Sequence, residues 1–171
     1  MREYLDFMKD VIDLGLPSGT CWFKYNFGCD YEKLDSKPEK SIAEDWYGKY
    51  YAWGELEPKM AYTKNNYKFY HYVYTDTYKL TKYTNQRFAY TKADNLTQLQ
   101  PEDDVIYRTF NNPVGIKFSI PTKAQFEELV ENTIKEEQTD FNGVAGLSGL
   151  LYTSKINGNS IFYIFSWCRK L

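Results

Sequence analysis

The chain has 171 residues, of which 19% are aromatic, and its 21 basic and 23 acidic residues leave a formal net charge of −2. This near-neutral balance disfavours a globally basic nucleic-acid-binding protein, and no apolar run approaches the length of a transmembrane helix. The length suits one folded domain with its own hydrophobic core, so we predict a single domain over residues 1–171.

The first predicted elements are two short strands, at 11–14 and 21–27. The sequence Leu-Pro-Ser-Gly at 16–19 lies between them and is a strong turn signal. Residues 46–53 are rich in aromatic side chains and contain one glycine. For this segment we predict a loop or a short strand that tryptophan holds against the core.

Residues 59–92 are unusual because they contain seven basic residues, one acidic residue and eight tyrosines. Aromatic side chains at 69–74 alternate in a way that predicts a strand with rings on both faces. Our candidate interaction surface consists of basic and tyrosine side chains from this zone: Lys64, Tyr67, Lys68, Tyr70, Tyr72, Tyr74, Tyr78 and Lys82.

Three uses of this zone are compatible with its composition. Half of the rings could form core while the lysines stay in water, or the zone could bind a protein or a glycan. Interleaved cations and rings also suit single-stranded nucleic acid, which is the least favoured of the three.

Two helices are predicted in the second half of the chain. One begins near Pro101, where the acids at 102–104 favour a helix N-terminus over a calcium site. The other spans 122–137 and begins with a capping box of Thr122 and Gln125. Its apolar face is expected to pack on a sheet containing Ile161, Tyr163 and Phe165. The residues of that apolar face are Phe126, Leu129, Val130 and Ile134.

The last predicted element is a β-hairpin around the Asn-Gly pair at 157–158. Its second strand, 161–168, is apolar on both faces, and we therefore predict a central strand of a sheet.

Catalytic and metal-binding patterns are weak throughout. The three cysteines form no Cys-x-x-Cys pair, and the chain has one histidine, His71, whose pairing with Asp76 would be the best available start of a catalytic triad. No nucleophile elbow or phosphate-binding loop accompanies them. We predict no enzyme activity, no catalytic residue, no metal site and no cofactor.

Six blocks of sequence, taken in order, resemble the Fibrobacter succinogenes major paralogous domain family, which is abundant in Bacteroidetes and their phages. They lie at 12–20, 26–28, 47–55, 99–104, 120–129 and 157–162, so the resemblance covers about residues 11–165. It implies an α+β, C-type-lectin-like fold with short antiparallel sheets and one or two helices. From the same resemblance we expect the usual C-terminal half of that fold to be lacking.

The resemblance, together with an N-terminus that has no signal-peptide pattern, leads to an expected function. We expect a non-enzymatic interaction domain, foremost a structural, decoration or attachment component of a phage virion that binds protein or glycan. The alternatives are a glycan-binding surface adhesin of a Bacteroidetes bacterium and an intracellular phage effector that binds a host protein. The expected partner is another protein chain of an assembly or a second copy of this chain, with no membrane and a virion or cytoplasmic location.

Overall fold

The computed structural model describes residues 8–36, 40–73, 77–88, 91–110 and 117–164. They form an α+β protein with short antiparallel sheets, as predicted. The chain divides into two compact units, one of Met1–Lys49 with Pro121–Leu171 and the other of Tyr50–Ile120. The helices and strands, in chain order, are β1 (Val11–Ile12), β2 (Trp22–Phe23), α1 (Tyr31–Ser36), α2 (Ala43–Tyr47), β3 (Tyr70–Val73), β4 (Thr77–Leu80), α3 (Val105–Phe110), α4 (Lys123–Asn132), β5 (Thr133–Gln138), β6 (Gly149–Ser154) and β7 (Ser160–Ile164).

The first unit opens with the predicted pair of strands, β1 and β2, in antiparallel register. The predicted turn is present, since the Gly19 amide donates to the Leu16 carbonyl over 2.8 Å. Both strands are shorter than predicted. Leu14, at the end of the first predicted strand, lies outside the ladder, and both it and Leu16 of the turn are buried in the core. Apolar residues at these positions therefore serve packing and not further strand pairing.

The prediction of a loop or strand at the start of 46–53 was wrong, because Trp46 belongs to helix α2. The Asp45 carboxylate accepts a hydrogen bond from the Ile42 amide over 2.8 Å, which ties down the chain where the helix begins. Trp46 does hold this segment to the core, as expected. It is buried, its indole N–H donates to the Ser41 hydroxyl over 2.8 Å, and its ring lies 5.6 Å from that of Tyr25.

Helix α4 begins at the predicted capping box. The Gln125 amide donates to Thr122 Oγ1, and the Thr122 amide donates to Gln125 Oε1 over 2.9 Å. The helix ends at Asn132, however, and not at 137. Side chains satisfy the carbonyls of its last turn, since Asn132 donates to the Glu128 carbonyl and the Thr133 hydroxyl to that of Leu129. These bonds stop the helix where β-branched residues begin.

The residues after α4 form strand β5, which pairs with β6 from Thr133 to Gln138. The predicted apolar helix face is therefore only partly present. Leu129 is buried in a cluster with Ile161, as expected, whereas Val130 and Ile134 are exposed. Phe126 is also exposed on one side, although its ring lies 6.4 Å from that of Trp22. Ile134 misses the core because strand periodicity replaces helix periodicity after Asn132.

The three-stranded sheet of the first unit has the order β5-β6-β7, and its last two strands form the predicted hairpin around Asn157 and Gly158. The two faces of β7 contribute to different core clusters, with Ile161 in one and Phe162 in the other. Among the described residues, β7 pairs with β6 alone, so the prediction of a central strand was wrong for Ser160–Ile164. An apolar strand here indicates burial on both faces and not a neighbour on both edges. Phe165 and the rest of 165–168 lie outside the described residues.

The second unit contains the β3–β4 hairpin and helix α3. Helix α3 begins at Val105 and not near Pro101 as predicted, and Asp104 caps its start, because its Oδ1 accepts hydrogen bonds from the amides of Ile106 and Tyr107 over 2.9 and 3.0 Å. Its Oδ2 accepts from the Ile120 amide over 2.9 Å and so fixes the chain that leaves the unit. A short 3₁₀-helix, Pro101–Asp103, precedes α3.

Candidate functional site

The candidate surface lies in the second unit and is organised by strands β3 and β4, which we call the tyrosine hairpin. Tyr70 is opposite Leu80 in the antiparallel register, and Tyr72 is opposite Tyr78. The predicted strand is therefore confirmed for Tyr70–Val73, but its tyrosines share one face, because Tyr70 and Tyr72 alternate with His71 and Val73. Tyr74 and Asp76 lie outside the described residues.

The described tyrosines of the candidate surface form one continuous series of ring contacts. Tyr67 contacts Tyr70 with ring centroids 5.0 Å apart, Tyr70 contacts Tyr78 at 5.8 Å, and Tyr72 contacts Tyr78 at 5.5 Å. These tilted and edge-on geometries are the favourable ones for aromatic pairs. The sequence-predicted rings are thus brought together, and Tyr72 remains 53% exposed.

The lysines of the candidate surface behave differently from the tyrosines. Lys68 and Lys82 both bind the buried carboxylate of Asp103, with Nζ–Oδ distances of 3.1 and 2.6 Å. Lys82 also binds Glu102 over 2.9 Å. Lys64 lies over the ring of Tyr78, with its ammonium nitrogen 5.9 Å from the centroid. Two of the three predicted cations are therefore neutralised by acids within the same unit.

The pKa values of these groups follow from their contacts. Burial tends to raise the pKa of Asp103, but hydrogen bonds from Lys82, Tyr83 and Lys68 outweigh burial and lower it. The hydrogen bond with Asp103 raises the pKa of Lys82, so this ammonium group stays charged. Burial, and then the hydrogen bond to Asp103, raise the pKa of Tyr83.

A second buried carboxylate, Glu55, supports the start of the tyrosine hairpin. Its Oε1 accepts a hydrogen bond from the Lys59 ammonium and another from the Lys68 amide, each over 2.6 Å. The sequence analysis did not single out Glu55 or Asp103 as part of this site. Both acids lie outside residues 59–92, so a local count of charges could not find them.

Gly54 connects Glu55 to the exposed residue Trp53. Its φ of +77° lies in the left-handed region, and a Cβ atom there would be 2.6 Å from Cε2 of Phe69. Phe69 is buried beneath the hairpin. The glycine thus lets the chain turn so that the acid points inward while Trp53 remains 47% exposed.

Beside the hairpin lies an open cleft of about 920 Å³ that we call the aromatic cleft. Its aromatic lining consists of Trp53, Tyr67, Tyr70, Tyr78 and Tyr83. The prediction that tryptophan holds 46–53 to the core does not extend to Trp53, which contacts Tyr83 edge-on at 4.6 Å and faces the cleft.

Asp94 fixes the polar wall of the aromatic cleft. Its carboxylate accepts hydrogen bonds from the amides of Tyr83, Thr84 and Leu96, over 2.7, 2.9 and 3.1 Å. These bonds join the segment after β4 to the segment around Asn95, and both contribute lining residues. Three backbone donors on one carboxylate make this wall a defined structure and not a loose loop.

Comparisons with protein-family models, curated proteins and solved structures found no match to this chain. The C-type-lectin-like assignment therefore stays a prediction from the order of the sequence blocks. Within the part of the chain that the structure describes, no helix has the length and apolar character needed to cross a bilayer.

Proposed function

We propose that this chain is a non-enzymatic interaction domain that serves as a structural, decoration or attachment component of a phage virion. The observation that carries the proposal is the exposed tyrosine face of the hairpin. Tyr70 and Tyr72 are 37% and 53% exposed, and they lie in one strand beside Tyr78. Large rings with few rotatable bonds gain contact area at low entropic cost, which makes tyrosine a favoured interface residue.

The hairpin itself is a reason to expect a partner. Two-stranded hairpins are marginally stable in water, and most described residues of β3 and β4 are exposed or half-exposed. A partner chain, or a second copy of this one, packed on the tyrosine face would bury these rings. Because Asp103 and Glu102 already pair with Lys68 and Lys82, such a contact would bury less uncompensated charge.

The acids of the second unit support a binding role and not a catalytic one. Asp103, Glu55 and Asp94 accept hydrogen bonds from lysines or backbone amides that hold the fold. His71 lies on exposed strand β3, opposite Lys79 in the register. The virion setting comes from the family that the sequence blocks resemble. A glycan-binding surface adhesin is the second candidate, and the polar lining of the aromatic cleft, in which Lys79 is the sole charged side chain among the described residues, favours it.

Analytical ultracentrifugation of the full chain tests the proposed contact face. At micromolar concentration we expect self-association, or co-sedimentation with the virion particle, that the double variant Tyr70→Ser/Tyr72→Ser abolishes. Tyr50→Ser is the matched control because Tyr50 is an exposed tyrosine outside the hairpin. A well-folded monomer that joins no particle, with sedimentation unchanged in the double variant, would contradict the proposal.

A further inference from the structure

We propose that the aromatic cleft binds a neutral saccharide of a few sugar rings without a metal ion. This inference deepens the proposed function, since it rests on the chain being a binding module and names one ligand class. The cleft volume of about 920 Å³ lies in the upper part of the range found for small-molecule sites. A site of this size accommodates an oligosaccharide and is much too large for a single ion.

The first observation is the placement of Trp53. Its edge-on contact with Tyr83, 4.6 Å between centroids, fixes the indole ring, yet 47% of the residue remains exposed. An exposed indole that a neighbouring ring holds in one orientation loses little side-chain entropy when a ligand packs on it. The C–H face of a pyranose ring is apolar and flat, and it gains dispersion and electrostatic contact with the negative face of an aromatic ring.

The second observation is the character of the polar lining. Asn85, Gln86 and Asn95 line the cleft and are exposed, and among the described residues their side-chain amides have no hydrogen-bond partner. Each amide carries a donor group and an acceptor group. A sugar hydroxyl also donates and accepts, so a row of amides beside a ring matches the edge of a pyranose.

The third observation is charge. Lys79 is the sole charged side chain among the described residues that line the cleft. The nearby cations Lys68 and Lys82 are occupied by Asp103. Polyanions such as nucleic acids need several free cations along their backbone, and the cleft does not offer them. A neutral saccharide needs none, which is why we favour it over a phosphorylated ligand.

The fourth observation is that hydrogen bonds and ring contacts within the chain hold both sides of the cleft. Asp94 joins the two segments that carry the amides through three backbone hydrogen bonds, and the ring series of Tyr67, Tyr70 and Tyr78 forms the other side. A preformed site loses little conformational entropy on binding. Asp94 therefore acts as a positioning residue for the amide-bearing wall.

Affinity electrophoresis of the full chain through gels that contain a soluble neutral polysaccharide tests this inference. The probes are a β-glucan, a mannan, a galactomannan and an arabinoxylan, each with EDTA present. We expect at least one of them to retard the protein. Trp53→Ala should weaken the association at least ~10-fold, which corresponds to about 1.4 kcal/mol. Thermal unfolding of each variant shows whether its fold is retained.

Tyr50→Ala is the matched control, because Tyr50 is an exposed ring of the same unit that lies outside the tyrosine hairpin and does not line the cleft. It should bind the retarding polysaccharide as the parent protein does. Trp53→Phe, which keeps a ring, should retain part of the retardation. Failure of all four polysaccharides to retard the protein would overturn the inference. Retardation that survives Trp53→Ala, that Tyr50→Ala also removes, or that EDTA abolishes would overturn it as well.

The two proposals fail separately. If no polysaccharide is bound but Tyr70→Ser/Tyr72→Ser abolishes assembly, the interaction domain stands and the saccharide is wrong. If a polysaccharide is bound and sedimentation is unchanged in that double variant, the cleft is the binding site and the hairpin contact is wrong. Binding of a protein or peptide in the cleft, with no polysaccharide bound, would replace the saccharide by a different class of partner and overturn the inference.

Discussion

The ammonium nitrogen of Lys82 lies 2.6 Å from Oδ2 of Asp103. The same Asp103 oxygen accepts a hydrogen bond from the Tyr83 hydroxyl over 2.7 Å, and Oδ1 accepts from Lys68 over 3.1 Å. One buried carboxylate thus joins residues before and after the tyrosine hairpin to the segment that precedes α3. Its contacts with two lysines and a tyrosine suggest how the hairpin, exposed on much of its surface, keeps its position in the second unit.

Removing this carboxylate should destabilise the protein. We expect Asp103→Ala to lower the free energy of unfolding by about 1–3 kcal/mol, because charged hydrogen bonds are lost while both lysines can still reach water. Glu102→Ala is the matched control, since Glu102 binds the same Lys82 from an exposed position. Urea denaturation of the two variants should show a much smaller loss for Glu102→Ala, and equal losses would contradict the role given to Asp103.

The Asp103 carboxylate should also make stability depend on pH. Its pKa is lowered in the folded state, so its contribution is fully present above the unfolded pKa near ~4 and is lost as the pH falls through the folded value. We expect the difference in melting temperature between the parent protein and Asp103→Asn to be constant from neutral pH to about 5 and to shrink below pH ~4. A difference that grows on acidification would have the wrong sign.

Gly54 offers a test of the backbone that presents Trp53. We expect Gly54→Ala to cost about 1–3 kcal/mol, because the φ of +77° is strained for alanine and the new methyl group would collide with Phe69. Gly19→Ala is a suitable comparison, since Gly19 also has a positive φ but has open space at the Cβ position. The excess cost at Gly54, measured by chemical denaturation, should report the collision alone.

Leu129 and Val130 are neighbours on α4 with opposite environments. Leu129 is fully buried against Ile161, so we expect Leu129→Ala to cost about 2–5 kcal/mol through the cavity it leaves. Val130 is exposed, and Val130→Ala should change the free energy of unfolding by less than ~0.5 kcal/mol. Similar losses for the two variants would mean that α4 packs through a different face.

The acidic triplet at 102–104 should not require calcium. Asp104 accepts three backbone amides and Asp103 accepts Lys68, Lys82 and Tyr83, so these carboxylates are satisfied within the chain. We expect the melting temperature to be unchanged when EDTA is added in excess. A marked fall that added calcium restores would show that a metal ion holds this segment.

Local sequence patterns determined those features that depend on neighbours in the chain. The capping box of Thr122 and Gln125, the turn at 16–19, the hairpin around Asn157 and Gly158, and the strand at Tyr70–Val73 are all present as predicted. Each arises from backbone geometry or a side-chain hydrogen bond within a few residues. The sequence therefore contains the whole physical cause of these elements.

Features that depend on distant residues were decided by the tertiary structure. Ile134 is in a strand because β6 pairs with it and Thr133 closes the helix, although the apolar spacing alone favoured a longer helix. Strand β7 is apolar on both faces, and residues of both faces are buried in core clusters. Among the described residues it is nevertheless an outer strand of its three-stranded sheet.

The same division holds for the candidate site. Strand alternation, which is a local property, predicted the tyrosines as a candidate surface, and Tyr70 and Tyr72 are exposed there. The sequence could not show that Lys68 and Lys82 pair with Asp103 and Glu102, or that Trp53 and the amides around Asn95 share a cleft. The ion pairs and the cleft form between segments that are far apart in the sequence. These segments come close together only when the second unit folds.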